Sequence, residues 1–301
     1  FDADVEAFRA DFIAFLDEYL PDPAVTEQRS RSTADIPDWA RVYTWREYDK
    51  FGTAKFIANT ADDLPRADAK GAEASKIIKP LGASYGYDIF EVKAAAAMGT
   101  PLDAMKANAC RYAIENKVDS VLALGDTKHN LQGLLSLTST TSFTVGTKQA
   151  GGLTWGTLAA PNATGDEVAA DLMGIVSNLV DATKGLWARF KIVLPIKQYN
   201  YAAQKRLGSN SDTTALRFAL DNSPFIESIE PWYRCSGAGA GATDRMVAYP
   251  LDPMVLAGIV PMEYTPMPVQ QENLEYIINA IATCGGVVAR YPVAISYGDG
   301  I

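Results

Sequence analysis

Residues 42–87 constrain the fold of this chain more than any other stretch. Val42-Tyr43-Thr44-Trp45, Thr53-Ala54-Lys55-Phe56-Ile57, Ala74 to Lys79 and Tyr85 to Ile89 are rich in aromatic and β-branched residues and read as strands. Between them lies the polar, turn-forming Asp62-Asp63-Leu64-Pro65-Arg66-Ala67-Asp68-Ala69-Lys70-Gly71. No helix-length apolar pattern interrupts the stretch, and a connection of this length inside a compact domain is usually functional. A two-stranded excursion is marginal in water, so it must lie on something. Two coverings are open: the body of its own domain, as a small surface sheet, or another molecule.

Composition excludes several classes. The 301 residues are 48% hydrophobic and 21% charged, ordinary for a folded protein. Twenty-seven basic against thirty-six acidic residues, a net charge of −9, argue against a dedicated nucleic-acid grip. Residues 1–49 carry twelve acidic and five basic side chains, so most of the excess lies there, as expected of a solvated helix face. Three scattered cysteines (Cys110, Cys235, Cys284) do not make a disulfide framework and fit a reducing compartment. No apolar run reaches membrane-spanning length and no signal-peptide pattern is present, so no membrane association is expected. The single histidine, His129, sits in the polar Asp126-Thr127-Lys128-His129-Asn130 and reads as a solvated loop residue. Without a nucleophile motif or a second metal ligand type beside it, no catalytic, cofactor or metal site is expected.

Along the chain, Val5, Phe8, Phe12, Phe15 and Tyr19 recur at helical spacing, predicting an amphipathic helix over 4–20 that ends at Pro21 and Pro23. A short Ala-rich helix is expected over 89–98. Thr100-Pro101-Leu102-Asp103 then opens a longer one that stops at Gly125. Ala107, Cys110, Ile114, Val118 and Val121 form its apolar stripe, and Asn108, Arg111, Glu115 and Asp119 a polar one. Residues 126–163 do not resolve into elements, with Leu134, Leu135, Phe143 and Trp155 as candidate buried anchors. From Thr164, which forms a capping box with Glu167, an α/β pattern runs to about residue 250: a helix, the strand Lys191–Leu194, two shorter helices, and strands at Phe225–Glu230 and Met246–Tyr249. The glycine run Gly237-Ala238-Gly239-Ala240-Gly241 precedes a strand and not a helix, so it reads as a flexible loop, with nucleotide cradling the weaker reading. The last residues are β-rich. Leu274–Thr283 and Val287–Ser296 flank Gly285-Gly286, which predicts a β-hairpin.

Taken in order, these passages resemble the major capsid proteins of tailed bacteriophages, whose Hong Kong 97-type fold is shared with encapsulins. The excursion with Asp63-Leu64-Pro65 at its tip is similar to that family's E-loop, and Phe90-Glu91-Val92-Lys93-Ala94-Ala95 with Gly99-Thr100-Pro101-Leu102-Asp103 to the lead-in of its spine helix. Leu131-Gln132-Gly133-Leu134-Leu135, Ile192-Val193-Leu194-Pro195, Thr243-Asp244-Arg245-Met246-Val247-Ala248-Tyr249 and Arg290-Tyr291-Pro292-Val293-Ala294-Ile295 carry the likeness through to the closing strands. The resemblance implies an α+β chain with an N-terminal arm (1–41), an E-loop (42–88) and a first part of a peripheral P-domain (89–164) with the spine helix at about 101–124. An axial A-domain (165–255, its first helix assignable to either domain) and P-domain return strands (256–301) follow.

It implies a subunit that self-assembles into pentamers and hexamers of an icosahedral head, assembled in the host bacterial cytoplasm and enclosing double-stranded DNA without sequence-specific contacts. Scaffold, portal or decoration proteins are candidate partners. Trp45, Phe56, Asp63, Leu64, Pro65, Arg66 and Ile77 are the expected intersubunit contacts, and Gly237, Gly239 and Gly241 an expected mobile loop at the capsomer axis. Lys70, Lys76 and Lys79 lie where some members crosslink, but no matching motif accompanies them. Two alternatives stand beside this reading: an encapsulin-type compartment with a protein cargo, and an α/β enzyme holding an anionic ligand at Gly237–Gly241.

Overall fold

Two long antiparallel pairings organise the first half of the chain. A computed structural model describes residues 36–51, 68–88, 90, 102–157, 160–208, 211–252 and 254–301. The expected helices over 4–20 and 89–98, and most of the excursion's tip, lie outside the described residues. Strand β1 (Val42–Phe51) pairs with β2 (Asp68–Ile77) over ten residues, Val42 opposite Ile77 and Phe51 opposite Asp68. After Ile78 the chain continues as β3 (Lys79–Asp88). Helix α1 (Leu102–Leu124) follows and ends at Gly125, as the sequence predicts. The ladder of β4 (Gly125–Asp126) with β5 (Leu131–Gln132) brackets a 3-10 turn at Thr127–His129, and β6 (Thr141–Phe143) leads into a loop.

Next come α2 (Gly165–Ala182), β7 (Phe190–Leu194), α3 (Ile196–Gln204), α4 (Ala215–Asn222), β8 (Ile226–Pro231) and β9 (Arg245–Pro250). The capping box at the start of α2 is present: Glu167 N–H donates to Thr164 Oγ1, and Glu167 Oε2 accepts from Thr164 N–H at 2.7 Å. The chain closes with β10 (Leu256–Ile259), β11 (Met262–Pro266), β12 (Gln270–Glu272), β13 (Glu275–Cys284), β14 (Gly286–Ala289) and β15 (Ser296–Asp299).

Strand β13 is the hub of a peripheral sheet. Its whole length pairs with β3, while β11 and β12 share its other edge. β3, placed by sequence at the end of the excursion, is therefore an integral strand of this sheet. The predicted hairpin at Gly285-Gly286 does not form: β14 pairs with β10, in a different ladder from β13. Gly286 takes φ 72° and turns the chain out of one sheet into the other; a side chain there would collide with the Gln132 carbonyl.

The second sheet, ordered β6-β15-β9-β7-β8, separates two cores. Alternation along its strands sends Phe190, Ile192, Leu194, Met246 and Ala248 to one face, where α2, α3 and α4 cover them. Val193, Val247, Tyr249 and Tyr297 face the other way, against α1 and the peripheral sheet. β15 comes from the closing segment, so the return strands serve both sheets.

The polar stripe of helix α1 is largely interior: Arg111 (4% exposed), Glu115 (3%) and Asp119 (8%) are buried, while Asn108 is exposed. The buried three adjoin Cys110, Ile114 and Val118, and both stripes of the helix meet protein. Tyr264 of β11 lies 6.0 Å from the Arg111 guanidinium. Burial draws the Arg111 pKa down to about 10, opposed by Glu115 and Tyr264. Asp119 accepts from Arg234 Nη2 at 2.8 Å and from Tyr233 Oη at 3.2 Å, which ties α1 to the 3-10 turn after β8. Of the anchors expected in 126–163, Leu134, Leu135 and Trp155 are buried, and Phe143 is half-buried against the α2 side.

Candidate assembly surfaces

At the described base of the β1–β2 hairpin, successive residues face opposite ways. Tyr43 and Trp45 stack at 5.8 Å and pack on a small cluster of Ile36, Ile78, Ile259 and Val288. Arg290 Nη2 donates to Tyr43 Oη at 2.5 Å, and Lys76 Nζ to Gln132 Oε1 at 2.6 Å. This face is held by its own subunit. On the opposite face Val42 (53% exposed) and its cross-strand partner Ile77 (49%) are open, and Trp39 nearby is 82% exposed. The two described residues expected to make intersubunit contacts are thus split: Trp45 packs at home, while Ile77 is available. Phe56, Asp63, Leu64, Pro65 and Arg66 lie outside the described residues.

The base of the glycine loop is tied to two carboxylates. Asp244 accepts from Ser236 Oγ at 2.9 Å and Gly237 N–H at 3.0 Å through Oδ1, and from Gln198 Nε2 at 2.6 Å through Oδ2. Asp299 accepts from Ala240 N–H at 3.1 Å and forms a two-pronged pair with Arg245 at 2.6 and 2.8 Å. Arg245 also donates to the Leu135 carbonyl at 2.5 Å, with its guanidinium 4.3 Å from the Tyr297 ring centre. Burial acts to raise the Asp299 pKa, but the Arg245 and Ala240 hydrogen bonds outweigh it and hold the carboxyl below its usual range. These amides serve carboxylates. A phosphate here would displace them or meet their charge, so the loop is not an anion cradle. Gly237 (φ 68°) and Gly241 (φ 71°) take left-handed conformations, and no atom stands within 4 Å of where a Gly241 side chain would begin. Nothing in the sequence near the loop points to Asp299 as its anchor, since that pairing is long-range.

At one end of the peripheral sheet three carboxylates stand in a row. Glu275 of β13 is directly opposite Asp88 of β3 on one side and Glu272 of β12 on the other. His129 is exposed and pairs with Asp126 at 3.1 Å, as a solvated loop histidine can. Among the described residues, no cluster of histidine, cysteine and acidic side chains could hold a metal ion. No helix there is long and apolar enough to cross a membrane.

With this geometry in place, comparison with known proteins is decisive. The family model described as "Major capsid protein" matches residues 52–301. The chain belongs to this family. Major capsid proteins are structural shell proteins. Solved structures agree on the Hong Kong 97-like fold. The capsid of Myoviridae phage XM1 is 19% identical with a TM-score of 0.73, 87% of each chain being covered. A capsid chain of a native GTA particle is 12% identical with a TM-score of 0.64, over 91% of this chain and 90% of that one. A virus-like particle from Pyrococcus furiosus is 14% identical with a TM-score of 0.52, over 84% and 86%. At these identities the likeness is one of fold. No curated protein matches the chain.

Proposed function

We propose that this major capsid protein is the shell subunit of a tailed-phage head, closing as pentamers and hexamers around double-stranded DNA. The observation that carries the reading is the β1–β2 hairpin, whose base is fastened to its own subunit while Val42 and Ile77 on the outer face lack cover. Heterologous contacts of this sort, repeated around an axis, close into rings and shells. In this reading residues 1–41 form the arm and the hairpin beyond Val42 the clamp. The α1 and β13 layers form the peripheral domain, and 165–255 the axial one.

Phe56, Asp63, Leu64, Pro65 and Arg66 are proposed to contact neighbouring subunits. Gly237, Gly239 and Gly241 would meet their symmetry mates at the capsomer axis, supported by the open space around Gly241 on a loop fixed at its base. The acidic balance suits a container that does not grip its contents, and DNA is enclosed without sequence-specific contacts. The protein resides in the virion after assembly in the host cytoplasm, with scaffold, portal or decoration proteins as further partners. The subunit performs no catalysis. The compartment with a protein cargo is the less favoured alternative, because the matching family model is that of major capsid proteins.

Electron micrographs of the purified full chain test this: uniform hollow particles are expected, and monomers or dimers at high concentration under several salt conditions would overturn it. Ala240→Cys, treated with a short thiol-specific crosslinker, tests the axial placement. The native cysteines are buried, so the one accessible thiol per subunit can join subunits only in pairs, and covalent dimers are expected from assembled particles but not from dissociated subunits. Particles that yield only monomers would remove the loop from the axis.

A further inference from the structure

At the end of the peripheral sheet that carries Asp88, Glu275 and Glu272, a cavity of about 580 Å³ opens to solvent. These three exposed carboxylates line it, with Phe90 (67% exposed), Leu274 (62%) and Ile277 as its apolar surface. Among the described residues, Lys106 is the one cation on its wall, and none of the three carboxylates forms an ion pair. Lys106 donates to the Gly86 carbonyl at 3.0 Å and lies 4.9 Å from the Tyr87 ring centre. The cavity thus sets unneutralised acid beside uncovered apolar side chains. Such a surface suits an apolar protein knob flanked by cations, and it repels nucleic acid.

The chain carries such a knob elsewhere. After α2, Lys184 and Gly185 are both left-handed (φ 53° and 72°), and the turn they make throws Leu186 outward, 71% exposed. Backbone bonds hold the turn: Gly185 N–H donates to the Val180 carbonyl at 2.9 Å and Leu186 N–H to the Thr183 carbonyl at 3.1 Å. Trp187 packs against both cores and lies 5.4 Å from the Tyr291 ring. Lys184 and Arg189, exposed on either side of Leu186 in the chain, form no ion pair among the described residues, and Asp181 is the one carboxylate between 181 and 189. A knob held this firmly does not swing onto the cavity of its own subunit, where both surfaces stand open. Their fit is between copies.

We propose that Leu186 of one subunit seats against Phe90, Leu274 and Ile277 in the cavity of the next, with Lys184 and Arg189 facing Asp88, Glu272 and Glu275. The occupant is a second copy of this chain. Knob and cavity are different surfaces, so the contact is heterologous and every subunit can both give and receive it. The apolar tip supplies attraction, while the charges fix the register and reject misaligned copies. This contact rests on the shell reading and adds to the one made by the hairpin face.

The test is a charge swap in full-length protein. Lys184→Glu with Arg189→Glu, and separately Glu272→Lys with Glu275→Lys, should each lower particle yield by about tenfold or more, since like charges then meet across the contact. All four substitutions in one chain restore opposite charges and should recover most of the yield. Near-parental yield from either pair, or no recovery in the fourfold variant, would overturn the proposal and leave the shell reading standing on the parental particles. A parent that forms no particles would overturn both. A second measurement does not depend on charge. Leu186→Cys chains and isotopically heavy Leu274→Cys chains are co-assembled and treated with a short thiol-specific crosslinker, the native cysteines being buried. Dimers joining position 186 of a light chain to position 274 of a heavy one are expected. Particles that yield none of these dimers would equally overturn the contact.

Discussion

Asp171, on α2, holds together the loop that sequence left without elements. It is 5% exposed and accepts from Lys148 Nζ and from Trp155 Nε1 at 2.7 Å, both themselves buried. A buried ammonium deprived of its carboxylate is an uncompensated charge, so Asp171→Asn should destabilise the subunit by about 3–5 kcal/mol in urea unfolding. Adding Lys148→Met should recover most of that loss while Asn still receives the Trp155 N–H. No recovery would mean that the pair acts through something other than charge. Asp299 supplies a pH signature. Its pKa is depressed in the folded state, so its contribution is fully present above the unfolded value of about 3.9 and is lost as pH falls through the folded value. Asp299→Asn should therefore be less stable than the parent at neutral pH, and the gap should close only in the acid range below pH 4. Paired denaturation curves across pH measure it; a constant gap would show that charge is not the cause.

At the scale of elements, the carboxylate row across β3, β13 and β12 is a like-charge arrangement, and directly opposed like charges weaken a sheet. Glu275→Gln should raise subunit stability by about 0.2–1 kcal/mol in thermal or urea unfolding, and an unchanged or lowered value would mean the row is neutralised within the subunit. The elements legible in the sequence were those with local signals. The Thr164 and Glu167 capping box, the stop at Gly125 and the apolar run of β7 each lie within a few residues of what they determine. Partner choice is not local. Val287 and Val288 carry strand propensity whether they fold back on β13 or cross to β10, and only the tertiary fit at Gly286 decides. The burial of Arg111, Glu115 and Asp119 is not legible for the same reason: Arg234, Tyr233 and Tyr264, which make that stripe interior, lie far off in the chain. Of the surfaces, sequence marked the excursion as needing cover but not that Tyr43 and Trp45 are covered at home and Val42 and Ile77 are not.

For the whole molecule, that split gives a direct test of assembly. Val42→Asp with Ile77→Lys places an opposite-charge pair on the outer hairpin face. The subunit should keep its stability to within about 0.5 kcal/mol, as surface substitutions do. Particle yield should collapse, because each apolar burial at a contact is worth roughly 1.5–3 kcal/mol and recurs at every copy. Scattering and micrographs read the yield, and urea unfolding reads the subunit. Normal particles would show that this face is not a contact, and a destabilised subunit would show that it belongs to the fold.

The sheet β6-β15-β9-β7-β8 has a core on each side, with β7 buried at every residue and Met246–Pro250 of β9 likewise. Neither core can loosen without exposing the strands that wall the other. Hydrogen exchange at α1 and at α2 should accordingly open together in the slowest class of amides. For a protein that must tile many times over, this is a form of quality control. A damaged copy does not present one sound half to a growing lattice; it is withdrawn entire, and the lattice waits for a good one.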